Sequence, residues 1–214
     1  MEFTTMPVPK LVCARQGCRK RLTDNGIGPL PDYCSEACRK RASRTRTKQA
    51  EKDADLALRD SWRTPVWLRE KVLTAYPVTT DAAALEGAAL VPSYYGPDHL
   101  DPARRSGLVA SWEGVVWINP PFSQLPAWSE KWATEAGRGV VVIALVPNNR
   151  MDQPWWSKWV TGRCVLEAIE KRVLFYRPDG TPDPGSPKFG CSLLFYNTTP
   201  DAGRPWKRPG QYAR

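Results

Sequence analysis

Asn119-Pro120-Pro121-Phe122, directly after the apolar run Val115-Val116-Trp117-Ile118, have the types and order to act on a weakly nucleophilic amine. An exocyclic amine conjugated to a purine ring gains from acceptors aimed at its N–H bonds as charge develops. The Asn119 side-chain oxygen and the Pro120 carbonyl are acceptors of that kind. Two prolines stiffen the backbone, and Phe122 offers a face on which a base turned out of a duplex can stack. The same four residues also read as a plain turn, so their context must decide.

A second set, Cys13, Cys18, Cys34 and Cys38, follows the spacing C-x4-C-x15-C-x3-C. Two close pairs separated by a loop suit a tetrahedral zinc ion, because each pair delivers two thiolates from one local turn. Two disulfides or four unrelated thiols are the alternatives. The N-terminus lacks the apolar segment and small-residue cleavage site of a signal peptide. The longest apolar run, residues 140–146, is far below the roughly 20 residues of a membrane-spanning helix. A cytoplasmic location, bacterial or in a phage-infected host, is therefore expected, with reduced cysteines that favour zinc. Cys164 and Cys191 stand in apolar β-like segments and read as core residues.

The formal charge of +9 is concentrated at the front, where residues 1–48 hold eleven Lys/Arg against four Asp/Glu, a net +7, and the remainder is only +2. A basic head on a near-neutral body suggests a polyanionic partner; a solvated, solubilising face is the bland alternative. Arg39, Lys40, Arg41, Arg44, Arg46 and Lys48 follow the second cysteine pair at spacings that put several on one helical face. Such residues grip phosphates and orient a protein on DNA without reading bases.

The elements that must position these groups follow from pattern. Residues 34–61 contain neither Gly nor Pro and should be largely helical. Thr64-Pro65 reads as the next helix start, with Thr64 as cap and Pro65 at the first helical position. Trp67, Leu68 and Val72 would form its buried face, and Tyr76-Pro77 its end. Strands are predicted at 78–80, 115–118, 140–146, 164–169, 173–176 and 191–196, and helices at 125–136 and 155–160. This alternation implies an α/β sandwich, a mostly parallel sheet covered on both faces, with the final strand pair as an antiparallel hairpin at one edge. Residues 177–190, rich in Pro, Gly and Asp, read as a mobile hairpin loop. Trp155, Trp156 and Trp159 read as core, and His99, the single histidine, as a surface loop residue.

Beyond these separate features, residues 62–197 resemble the phage-type DNA N6-adenine methyltransferases, a Dam-like family. The resemblance is carried by Thr64-Pro65, Asp81-Ala82-Ala83-Ala84, Tyr94-Tyr95, Leu108 with Trp112, Asn119 to Phe122, Trp128, Leu145-Val146-Pro147, Trp155-Trp156 and Arg172-Val173-Leu174-Phe175. It implies a Rossmann-like class I methyltransferase fold, S-adenosylmethionine as methyl donor, DNA as partner, and Asn119, Pro120, Pro121 and Phe122 as the catalytic motif. It also implies that Thr64, Pro65, Asp81 and Ala82 border the donor. Asp81 could hydrogen-bond a ribose or an ammonium group, or be a surface turn residue. Arg172 could touch DNA or pair with an acid of its own hairpin. The chain departs from the common pattern in lacking a glycine-rich loop near 79–83, where backbone would approach the donor closely.

The expected organisation is a zinc-binding, basic, treble-clef-like module at 1–45, a helical linker at 46–61, the methyltransferase domain at 62–200 and a tail at 201–214. Two other readings share these residues. One is a methyltransferase acting on RNA adenine or protein glutamine, and the other a non-catalytic zinc-dependent DNA-binding protein.

Overall fold

The computed structural model describes residues 12–23, 29, 31–184, 187–200 and 206. The expected tail, 201–214, lies outside them except for Trp206, as do residues 1–11 of the front module. The chain divides into two compact units, Met1–Leu56 and Ala57–Arg214.

In the first unit, Val12 bridges Arg21 in antiparallel fashion, and the Cys13 N–H donates to the Lys20 carbonyl at 3.0 Å. Gly17, at φ +78°, turns the chain between Cys13 and Cys18, a conformation that glycine adopts without steric cost. Helix α1, Glu36–Asp60, then runs for 25 residues with none buried. It is one uninterrupted helix through the expected module boundary at 45, and its last turn belongs to the second unit.

The second unit is built on a five-stranded sheet: β1 Thr80–Asp81, β2 Val115–Ile118, β3 Val141–Pro147, β4 Val165–Ala168 and β5 Cys191–Tyr196, in spatial order β1-β2-β3-β5-β4. The first three are mutually parallel, while β5 runs antiparallel to both its neighbours. Side-chain alternation along these strands splits the core in two. Val116, Ile118, Val142, Ala144, Leu194 and Tyr196 pack with Trp128 and Trp132 of α3 (Leu125–Gly137) and Trp155 and Trp156 of α4 (Pro154–Trp159). On the opposite face Trp117, Ile143, Leu145, Leu193 and Phe195 pack with Leu68 and Val72 of α2 (Val66–Ala75) and with Val173, Phe175 and Trp206. Both faces of the sheet are thus covered, as expected, and the three tryptophans predicted for the core lie in or against it. One buried chain of polar atoms is satisfied within the core: Trp132 Nε1 donates to the Tyr196 hydroxyl at 3.0 Å, which donates to the Trp159 carbonyl at 2.6 Å, whereas the buried indole nitrogens of Trp128 and Trp206 find no partner among the described residues.

Three expectations need correction. Residues 173–176 form no strand of the sheet: Tyr176 bridges Arg63 on one side and Pro182 on the other. Their alternating burial comes from Val173 and Phe175 plugging the core, and β4 partners β5 instead. Pro65 is the N-cap of α2 rather than its first helical residue, because its ψ of 146° is extended, and no side chain caps this end. Residues 177–190 are not a free polar hairpin, since Asp183 is buried at 7% exposure and donates its N–H to the Phe175 carbonyl at 3.0 Å.

Candidate active site and metal centre

Because β1, β2 and β3 are parallel, Asp81 and Ile118 end at the same edge of the sheet, where ligands bind in open α/β folds. A cleft of about 440 Å³ opens there, lined among others by Trp62, Thr64, Asp81, Ala82, Asn119 and Pro121. That volume lies within the roughly 300–1,000 Å³ of small-ligand sites. The cleft therefore brings Thr64, Asp81 and Ala82 together with Asn119 and Pro121. Pro65 does not line it. Pro120 and Phe122 face a narrow crevice with Arg59, Trp62, Asn119 and Phe175. Phe122 is half-buried, its ring edge-on to Phe175 at 5.9 Å and tilted against Phe189 at 6.1 Å.

The Asn119 amide has a defined orientation. Its Nδ2 donates to the Trp62 carbonyl at 3.2 Å, a contact the amide oxygen could not make with another oxygen. Oδ1 is thereby turned away, and among the described residues it accepts no hydrogen bond. The turn that follows, Phe122–Gln124, is held by Asp60, which accepts from the Ser123 N–H at 3.1 Å and from the Ser123 hydroxyl.

Asp81 is no surface turn residue: it is 4% exposed. Its Oδ1 accepts from the Ala83 N–H at 3.2 Å and its Oδ2 from the Leu90 N–H at 2.8 Å, so the carboxylate ties together the loop after β1. Burial pushes its pKa up to about 6 and prevails over the opposing effects of the Leu90 and Ala83 amides and of Arg69.

Glycines missing from 79–83 are supplied from elsewhere. A Cβ on Gly107 would stand 2.1 Å from the Ala82 carbonyl oxygen, and one on Gly96 1.9 Å from that of Ala84. Close backbone approach at the cleft wall is thus achieved by two glycines distant in sequence. Neither was singled out from the sequence, nor were Asp60, Trp62 or Asp183. No local pattern marks them, because their partners lie across the fold.

In the first unit the four predicted ligands converge: the sulfurs of Cys13, Cys18, Cys34 and Cys38 all lie within 4.8 Å of one another. Three separations are 3.8 Å (Cys18–Cys34), 3.4 Å (Cys34–Cys38) and 4.0 Å (Cys38–Cys18). A tetrahedron with metal–sulfur bonds of about 2.3 Å has sulfur–sulfur edges of about 3.8 Å, so the donor set fits zinc. All four thiols are free, which removes the disulfide alternative from this arrangement. Cys38 lies in the first turn of α1, with its N–H donating to Ser35 Oγ at 3.2 Å. The Lys20 backbone N–H draws the Cys18 thiol down to about 6, toward the thiolate that a metal requires.

Of the basic residues on α1, Arg39 and Lys40 pair with Glu36 at 3.6 and 3.2 Å, and Arg46 donates to the Tyr33 hydroxyl at 2.9 Å. Arg41, Arg44 and Lys48 share a groove along one face. Arg172 is exposed and pairs with no acid among the described residues. Cys191 is buried, its thiol pushed up to about 12 by burial, and Cys164 packs against the core.

Fold and cleft together define an α/β domain with a ligand-sized cleft at the carboxyl ends of its parallel strands and an oriented amide at the rim. The chain belongs to the DNA N-6-adenine-methyltransferase (Dam) family, whose model matches residues 51–208. The four-cysteine cluster precedes the matched region. Among curated proteins, none matches the sequence. No helix among the described residues is long and apolar enough to cross a membrane.

Proposed function

We propose that this adenine methyltransferase uses S-adenosylmethionine bound in the cleft between Asp81-Ala82 and Asn119, on a Rossmann-like methyltransferase sheet, and acts on an adenine flipped out of DNA. The observation that carries the reading is the Asn119 amide: its nitrogen is committed to the Trp62 carbonyl, while its oxygen stands unpartnered among the described residues, beside a ligand-sized cleft. When bound, the sulfonium donor supplies an electrophilic methyl group.

The protein's own part is to present and polarise the amine. Asn119 Oδ1 accepts one N6–H bond and stabilises the positive charge that develops on N6. The Pro120 carbonyl serves as a second acceptor, and the exposed part of Phe122 stacks on the extruded ring. Asp81 acts on the donor chiefly through the loop it organises, since both its oxygens already accept backbone N–H groups. Thr64 lines the donor's side of the cleft, with Pro65 fixing the chain behind it. Zinc on Cys13, Cys18, Cys34 and Cys38 organises a treble-clef-like front module. Arg41, Arg44 and Lys48 grip phosphates, with Arg39, Lys40, Arg46 and Arg172 as further contacts.

Asn119→Ala should lower single-turnover methylation of duplex DNA about a hundredfold or more, as for loss of one preorganised transition-state contact, with donor affinity unchanged. Near-normal turnover by the folded variant would reduce the motif to a turn. Mapping modified adenines in methylation-deficient cells expressing the gene tests DNA as substrate and reads out the target site.

A further inference from the structure

The Asn119 amide is aimed by a carbonyl, and that carbonyl is itself held from two directions by one loop. Trp62 Nε1 donates to Asp183 Oδ2 at 2.7 Å. Both residues are buried, at 8% and 7% exposure. The Trp62 indole stacks on Phe175 at 5.0 Å with its plane only 8° away. One residue on, the backbone of Arg63 exchanges both hydrogen bonds with Tyr176, at 2.8 and 3.2 Å. The same loop braces Asp183, whose Oδ1 meets Arg177 Nη2 at 3.3 Å and whose N–H donates to the Phe175 carbonyl at 3.0 Å.

We propose that Asp183 is a positioning residue for methyl transfer, acting through Trp62 to set the direction in which Asn119 presents its oxygen. The inference rests on the reading of Asn119 as the acceptor for the adenine amine. A buried indole N–H bonded to a carboxylate is a charge-assisted contact with a preferred direction, and removing the acceptor leaves that N–H unsatisfied. Trp62 then gains freedom to turn, and its carbonyl ceases to define which way the Asn119 amide points. Asp183 does not itself line the cleft, so its loss acts chiefly on transition-state alignment.

The test uses the full chain with S-adenosylmethionine and a duplex carrying a mapped target adenine. Asp183→Ala should lower the single-turnover rate roughly tenfold to a hundredfold, the scale of a small misplacement of a reacting group. The donor Kd and DNA Kd should change far less than the rate, since Asp183 does not line the cleft. Asp183→Asn keeps an oxygen acceptor for the indole and should recover most of the rate. Trp62→Phe keeps a ring for Phe175 but removes the N–H, so it measures the same bond from its other end should Asp183→Ala fold poorly. Its loss should not multiply with that of Asp183→Ala in the double variant.

Normal turnover by Asp183→Ala alongside an inactive Asn119→Ala would overturn the inference and leave the functional reading standing. Multiplying losses, or a donor Kd that weakens in step with the rate, would also overturn it, because a merely structural brace behaves that way. An active Asn119→Ala would remove the functional reading and this inference together.

Discussion

The two units of the chain are held together by different physics. In the sheet unit, α3 buries five residues within 13, including Trp128 and Trp132. In the front unit, α1 is 25 residues long and buries none. Among the described residues before α1, only Cys13 and Leu22 are buried. With so few buried side chains among its described residues, the front unit gains most from a staple, which the four converging thiols are placed to provide. An unsupported helix in water draws on propensity and local pairs such as Glu36–Lys40, which are worth only a few tenths of a kcal/mol each. Charge is therefore free to occupy its whole surface, whereas the sheet unit buries a few polar side chains, Asp81, Ser129, Glu135, Asp183 and Ser192 among them.

The sharpest way to break this contrast is to remove the staple. Cys34→Ser with Cys38→Ser should abolish zinc content and unfold the front module, because structural zinc contributes about 10–16 kcal/mol to such folds. The cooperative unfolding transition of the sheet unit should be unchanged. Elemental analysis and calorimetry read the two outcomes, and coincident loss of both transitions would show one cooperative body.

Next in size is an insult confined to the cleft wall. Gly107→Ala drives a Cβ against the Ala82 carbonyl and toward Trp128, an overpacking that costs about 1–3 kcal/mol. Donor affinity measured by calorimetry should fall by roughly five- to hundredfold. Gly137→Ala, where a Cβ meets nothing within 4 Å, is the silent partner experiment.

A smaller effect should appear as a slope. The folded chain keeps a proton on Asp81 up to about 6, against 3.8 for the ordinary carboxyl. Protonated Asp81 is thus favoured by folding: its contribution to stability is full below about 4, falls as pH rises through about 6, and is flat beyond. Urea unfolding of wild type against Asp81→Asn across that window should show the slope only in wild type.

Smallest in stability is charge reversal on α1. Arg41→Glu with Arg44→Glu should leave unfolding within about 0.5 kcal/mol. It should weaken binding to all DNA sequences alike and flatten the salt dependence by roughly one unit per lost phosphate contact. A loss confined to one target sequence would instead make α1 a reader of bases.

What was legible in the sequence follows the same divide. β2 and β5 match their expected ranges, and α3 differs by a single residue, because burial on both faces leaves an unbroken apolar run and amphipathic period leaves a stripe. The cysteine cluster was legible because ligand spacing is local. Residues 173–176 misled because Val173 and Phe175 do alternate into the core, while Tyr176 spends its backbone on Arg63. At the site, Asn119 and Asp81 announced themselves by type and by position after a strand. Gly107 against Ala82, Asp60 against Ser123 and Asp183 against Trp62 are pairings across the fold that no window of sequence contains.

The reversed strand β5 imposes an order on assembly. It lies between β3 and β4, bonded to both, so in the native sheet β4 has no strand neighbour other than residues 191–196, which follow it in the chain. During synthesis the edge of β3, carrying Ile143 and Leu145, waits with its backbone groups unpaired. Such an edge is a template for association with other chains. A chain cut short before residue 191 would thus leave that edge of β3 open, and such truncated forms should aggregate more readily than the full chain.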